Sequence, residues 1–171
     1  MTTVPTPFIT PAVVKPEWID ANGHMNVIYY MECFYFSSEI FFDYIGVKFG
    51  VRDSGNESAP ESRSSLMTLA SNIDYRGELL LAERLRTTTQ LLDRDHNKVH
   101  LYFETWNAEK NTLSAVAEIL FLYVDLGTRK GSKFQSFTLD RLAEIEHAHR
   151  ALGVPIHVGR RIGIRRENNC N

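Results

Sequence analysis

The chain has 171 residues, of which 43% are hydrophobic and 23% charged, and carries a net charge of -2. That length buries one substantial core and is short for two, and a charge so near balance argues against general nucleic-acid binding, which needs a marked basic excess. Two cysteines, Cys33 and Cys170, lie far apart in no C-x-x-C arrangement, which fits a reducing, cytoplasmic setting better than a disulfide framework.

From the N-terminus, Met1 to Thr10 has neither the basic nor the apolar stretch of a signal peptide. With Pro5, Pro7 and Pro11 it reads as an irregular arm. Val13-Val14-Lys15, leading into Pro16-Glu17-Trp18, predicts an edge strand, because proline donates nothing to a ladder. A turn follows that carries a carboxylate (Asp20), a glycine (Gly23), an imidazole (His24) and an amide (Asn26). Asn26 is a good N-cap, Gly46 a good stop, and Val27 to Ile45 between them predict a helix about 28 Å long at 1.5 Å per residue. Ile28, Met31, Tyr35, Phe42 and Ile45 keep helical spacing. Tyr30, Phe34, Phe36, Ile40 and Phe41 fill much of the remaining circumference, so this helix should be wrapped by other structure. Glu32, Glu39 and Asp43 interrupt the run and argue against a membrane span.

Val51 to Ser65, rich in Ser, Asp, Glu, Gly and Pro, predicts a mobile surface loop. Strands are expected over Leu66 to Tyr75 and Leu79 to Leu92, with a turn or bulge at Arg76-Gly77 and a hairpin loop at Asp93 to Asn97. Val99, Leu101, Phe103 and Thr105 alternate with His100, Tyr102, Glu104 and Trp106, the period of a half-buried strand. After a turn at Ala108 to Asn111, Ala115 to Asp125 is apolar on both faces and should be central. Phe137 to Leu152 predicts a short amphipathic helix stopped by Gly153-Val154-Pro155, with a basic tail beyond. No repeat or internal linker divides the chain. The expectation is one domain over 1–171, with a core of about residues 12–126 and a C-terminal helix and tail over 137–171. A long helix followed by antiparallel strands implies an α+β fold, a curved sheet around a central helix.

The order of elements and the residues together resemble the hotdog-fold acyl-CoA thioesterases, in their 4-hydroxybenzoyl-CoA thioesterase-like branch. The likeness covers roughly residues 12–165. It is carried by Trp18-x-Asp20-x-x-Gly23-His24-x-Asn26-x-x-x-Tyr30, by Asp74-Tyr75-x-Gly77-Glu78, and by Gln90-Leu91-Leu92-x-x-Asp95 with Val99-His100-Leu101. Ala117-Glu118-x-Leu120-Phe121-Leu122-Tyr123-Val124-Asp125, with Arg129 just beyond, completes it. Within the family the spread of motifs is most similar to the betainyl-CoA thioesterases of carnitine breakdown. The polar stretch at Val51 to Ser65 and the tight Tyr75-Arg76-Gly77-Glu78 passage depart from the family pattern and bear on substrate identity.

The resemblance implies thioester hydrolysis, with an acyl-CoA as substrate and neither a cofactor nor a metal. Asp20 would attack the thioester carbonyl or activate a water, whereas read alone it caps its turn. Gly23 would let the chain approach the thioester. The amides from Asn26 through Val27 to Ile28 would stabilise the developing oxyanion, a contribution of about 3–4 kcal/mol, unless Asn26 serves only as the N-cap. His24 would donate to the carbonyl or position water, or simply hold the turn. Trp18, Tyr29, Tyr30 and Trp106 are candidates for an aromatic wall around a trimethylammonium group, and equally for core. Arg129, Lys130, Lys133, Arg160, Arg161, Arg165 and Arg166 are candidates to meet the phosphates of CoA, or form a solvated rim. His147 and His149, two apart on a helix, share no face and do not specify a metal. An enoyl-thioester hydratase would use Asp-x4-His where this chain has three residues between Asp20 and His24, and a non-catalytic acyl-CoA sensor would not need Asp20. The resemblance also implies a homodimer or homotetramer, since a lone curved sheet leaves an edge to be covered.

Overall fold

The computed structural model describes residues 3–47 and 64–164. Most of the expected loop at Val51 to Ser65, and the tail residues Arg165, Arg166 and Cys170, lie outside the described residues.

Strand β1 (Phe8–Val13) leads through a single 3-10 turn (Pro16–Trp18) and the Asp20–Met25 turn into helix α1 (Val27–Tyr44). Strands β2 (Ser64–Tyr75), β3 (Arg84–Arg94), β4 (Lys98–Asn107), β5 (Thr112–Asp125) and the two-residue β6 (Lys130–Gly131) follow, and helix α2 (Ser136–His149) closes the sequence of elements. The sheet is antiparallel, in the order β1-β3-β4-β5-β2 with β6 on β5. This is the expected α+β hotdog arrangement, one long helix laid against one sheet.

Helix α1 begins where its cap dictates: the Asn26 side chain accepts the Ile28 amide at 3.1 Å. Gly46, at φ +79°, ends the helix in the left-handed region that favours glycine. The buried stripe of α1 is Tyr30, Cys33, Phe34, Ser37, Ser38, Phe41 and Phe42. It packs on the sheet face formed by Val99, Leu101 and Phe103 of β4 and Ala117, Ile119 and Phe121 of β5. Phe34 meets Phe103 and Phe42 meets Phe121 ring to ring, at 5.6 and 5.0 Å between centroids. The sheet covers only that side within the protomer. Val27, Ile28, Tyr35, Phe36 and Ile40 remain exposed, so Ile28 and Tyr35 point outward rather than into the wrap.

Three local expectations are corrected. The N-terminal edge strand is Phe8–Val13, not the stretch leading into Pro16; Pro11 sits opposite Arg86 in an outermost strand, where a missing donor is tolerated. Strand β3 starts at Arg84, and the preceding residues 76–83 are a connection rather than strand. That connection crosses from one edge region of the sheet to the other, because β2 pairs with β5 and β3 with β1 and β4. The C-terminal helix ends at His149, with Arg150–Leu152 as a 3-10 turn before Gly153.

Candidate active site

The turn before α1 is closed by backbone bonds. The Asp20 amide donates to His24 O and the Gly23 amide to Asp20 O, both at 3.0 Å, and the Asn26 amide donates to Trp18 O at 2.8 Å. Ile19 and Met25 form a one-residue antiparallel bridge at its base. Gly23 takes φ +83°, which a side chain would strain, while the space a Cβ would enter is open. Met25 is buried and its amide donates to Leu79 O at 2.8 Å, pinning the turn to the β2–β3 connection.

Asp20 and His24 are brought together, with His24 Nδ1 3.8 Å from Asp20 Oδ1 and both side chains partly open to solvent. Asp20 Oδ1 also accepts the Asn22 amide at 2.8 Å. The carboxylate thus caps its own turn through one oxygen, and no hydrogen bond to Oδ2 is present among the described residues. The Asn26 side chain is spent on the Ile28 amide, and Asn26 O accepts the Tyr29 amide at 3.1 Å. Ile28 is therefore corrected as an oxyanion donor. The Val27 amide, at an exposed first helical position, has no acceptor among the described residues. A helix start with one unpaired amide, entered from a turn that carries a carboxylate, has the two parts that thioester chemistry needs, a donor for a developing oxyanion and a base or nucleophile.

The aromatic candidates divide. Trp18 is 3% exposed and lies under Tyr29, stacked at 5.4 Å and 17°. Its ring supports Tyr29 and is not itself a wall of an open pocket. Trp106 belongs to the sheet face turned away from α1, where its Nε1–H donates to Glu104 at 3.0 Å. That takes it off the proposed wall. Tyr30 is buried, donates its hydroxyl to Gly77 O at 3.1 Å and meets Tyr75 edge-on at 5.4 Å. Burial pushes the Tyr30 hydroxyl up to about 12, so it remains a neutral donor. Burial, reinforced by Glu32, likewise raises the Cys33 thiol to about 12, which suits a core residue and not a nucleophile.

Tyr75 and Gly77 therefore join Tyr30 from far along the chain, Gly77 from 47 residues away, as the Tyr30–Gly77 bond and the Tyr30–Tyr75 ring contact show. Gly77 is close-fitted: a Cβ there would meet Leu113 O at 3.3 Å. The Asp74-Tyr75-x-Gly77-Glu78 motif was the available signal for this segment. Of the basic candidates, Arg160 is ion-paired with Asp74 and Lys130 lies in β6. Arg129 adopts φ +58° beside β6. Among the described residues, no cluster of three or more His, Cys, Asp and Glu is arranged to hold a metal, and no helix is long and apolar enough to cross a membrane.

The model of the thioesterase-like superfamily matches residues 14–142. A betainyl-CoA thioesterase of Pseudomonas aeruginosa is 33% identical over 164 residues, which are 96% of this chain and 98% of that protein. An L-carnitine dehydrogenase/betainyl-CoA thioesterase of Rhizobium meliloti is 30% identical over 153 residues; these are 90% of this chain and 29% of the longer protein. In architecture, the chain is similar to a Staphylococcus aureus protein solved in complex with CoA. The TM-score is 0.77 at 22% identity, over 96% of this chain and 99% of that one.

Proposed function

The chain belongs to the thioesterase-like superfamily and is an acyl-CoA thioesterase; from that premise we propose that it hydrolyses betainyl-CoA, with Asp20 acting on the thioester carbonyl. The observation that carries the assignment of the site is the tight turn that bears the Asp20 carboxylate and leads directly into the start of α1, where the Val27 amide is unpaired among the described residues. The substrate orients with its carbonyl oxygen on the Val27 N–H. Asp20 then takes a proton from a water that adds to the carbonyl carbon, or adds to that carbon itself. In the first route the carbon–sulfur bond of the water adduct breaks and gives the acid directly; in the second it breaks to leave a mixed anhydride on Asp20, which water then hydrolyses to the free acid and the Asp20 carboxylate. In both, CoA leaves as a thiol after gaining a proton. Single turnover in 18O-labelled water separates the two routes, since only direct attack carries an Asp20 oxygen into the product. His24, 3.8 Å from Asp20, positions the water. Gly23 keeps the turn small enough for approach, Tyr30 holds the β2–β3 connection against the site, and Trp18 backs Tyr29.

The betainyl assignment is supported by the names of the relatives and by aromatic side chains at the helix start, Tyr29 foremost, which suit a quaternary ammonium. It is tested by comparing betainyl-CoA with 3,3-dimethylbutyryl-CoA, in which carbon replaces the charged nitrogen. The expected kcat/KM is at least about tenfold higher for the cationic substrate, the size of one desolvated cation–π contact or more. Equal values for the two would reject the betainyl reading and leave a general acyl-CoA thioesterase. Assembly through the open face of α1 and the edge strand β2, as a homodimer or a homotetramer, belongs to the same proposal, with each site then bordered by a second copy.

A further inference from the structure

After α2 the chain runs as a strap across the sheet face turned away from α1, and this strap is bonded to the sheet at several places. Gln90 Nε2 donates to Gly153 O at 2.8 Å, the Gly159 amide to Glu118 Oε1 at 2.7 Å, and Asn72 Nδ2 to Arg160 O at 2.6 Å. Arg160 pairs with Asp74, and Arg76 donates to His157 Nδ1 at 2.9 Å. Where the strap reaches β2 it leaves a cavity of about 430 Å³ between Asn72–Tyr75 and Arg160–Gly163.

The charge there is unevenly paired. Arg76, at 2.9 Å, and Arg160 share one carboxylate oxygen, Asp74 Oδ2. Arg161 lines the same cavity, is exposed, and has no carboxylate partner among the described residues. With Glu118, which holds the Gly159 amide, three guanidinium groups stand against two carboxylates, and the one left without a carboxylate among the described residues is Arg161. Tyr75 adds a half-exposed aromatic ring and Ile162 an exposed apolar side chain. Guanidinium groups beside an aromatic ring bind phosphates next to a stacked base. The ring of Tyr75 meets Tyr30, one helical turn beyond Val27, so the cavity lies one ring pair away from the start of α1.

We propose that this cavity holds the adenosine-phosphate end of the coenzyme A thioester, with Arg161 as its principal phosphate contact and Tyr75 as the stacking surface for adenine. The proposal rests on the acyl-CoA thioesterase reading and adds where the nucleotide sits. Asp74 and Glu118 then have a definite purpose: two carboxylates on an outer sheet face anchor the strap, by Arg160 and by the Gly159 amide, so that Arg161 is held at the cavity.

The test compares one acyl group carried on CoA and on pantetheine, which lacks the nucleotide, in the wild type, Arg161→Ala and, as a control remote from the cavity, Arg84→Ala. Arg161→Ala should raise KM for acyl-CoA about tenfold, the loss of one charge-assisted contact, with little change in kcat. The preference for acyl-CoA over acyl-pantetheine should shrink by the same factor, while Arg84→Ala keeps the wild-type preference. Calorimetric titration with adenosine 3′,5′-bisphosphate reads the site without turnover. Wild-type protein should bind it and Arg161→Ala should bind it about tenfold more weakly. An unchanged preference in Arg161→Ala, or bisphosphate binding indifferent to the substitution, would overturn the proposal. Absence of hydrolysis with intact bisphosphate binding would count against the catalytic reading alone.

Discussion

His149 shows how much a single side chain can settle. It is buried at the end of α2, where Nδ1 accepts the Leu91 amide and Nε2–H donates to Pro5 O, both at 2.9 Å. One ring thereby ties α2 to β3 and to the N-terminal arm, and the two bonds demand the neutral form. Burial lowers its pKa from the ordinary histidine value, against the raising effect of the bond to Pro5. The unfolded chain therefore binds this proton at a pH where the folded chain does not. The His149 contribution to stability is complete above about pH 6.5 and is lost as pH falls from there through the lowered folded value. Chemical denaturation from pH 7.5 to 5 should show the wild type losing stability on acidification. His149→Ala should be less stable at pH 7.5, by about 1–3 kcal/mol for the stranded Leu91 donor, with a flatter profile. A wild-type profile no steeper than the variant's would refute this. Nothing near position 149 in the sequence announces the role, because both partners lie far along the chain. Asp20, Gly23, His24, Asn26 and Val27 were legible for the opposite reason: a turn into a capped helix is local, and its residues are neighbours in sequence and in space. Tyr75 and Gly77 could be quoted as a motif, but their contact with Tyr30 exists only in the folded chain.

Among the elements, α1 was the easiest to foresee, with Asn26 as its N-cap and Gly46 one residue past its C-cap. Which side of it faces the sheet was not, since apolar residues occupy nearly the whole circumference. The sheet takes Tyr30, Phe34, Phe41 and Phe42, leaving Ile28, Tyr35, Phe36 and Ile40 as a second apolar stripe. Strand β2 presents Met67 and Leu69 along an edge that has no neighbour among the described residues. Two uncovered apolar surfaces and an open edge predict self-association. Sedimentation should give at least twice the 19.6 kDa of the chain, and Leu69→Lys should shift the distribution toward the monomer. A wild type that sediments as a monomer at micromolar concentration would rule this assembly out. The strands themselves followed from alternation and turn residues; the shortened β3 and the early β1 did not. Leu79, Leu80 and Leu81 look like strand, yet Leu79 is buried in a connection that holds Met25, while Pro11 looks like a breaker and sits in an edge strand.

For the whole molecule, the α+β class was readable from one long helix followed by strands, whereas the order β1-β3-β4-β5-β2 was not. The β3–β4, β4–β5 and β5–β6 pairings join consecutive strands; β1 with β3 and β2 with β5 join segments far apart in sequence, and no local signal specifies such partners. This order fixes the site: the connection from β2 to β3 passes the start of α1 and is fastened there through Leu79 and Gly77. The turn that carries Asp20 is thus held from two sides, by its own helix and by the crossover. The central claim is that Asp20 drives thioester hydrolysis at this point. Its most direct test is thiol release from betainyl-CoA by the wild type and by Asp20→Asn, which keeps an oxygen for the Asn22 amide and so preserves the turn. The account predicts turnover by the wild type and a fall in kcat of about 10²–10⁴-fold in the variant, with KM little changed; a variant that turns over at the wild-type rate would contradict it.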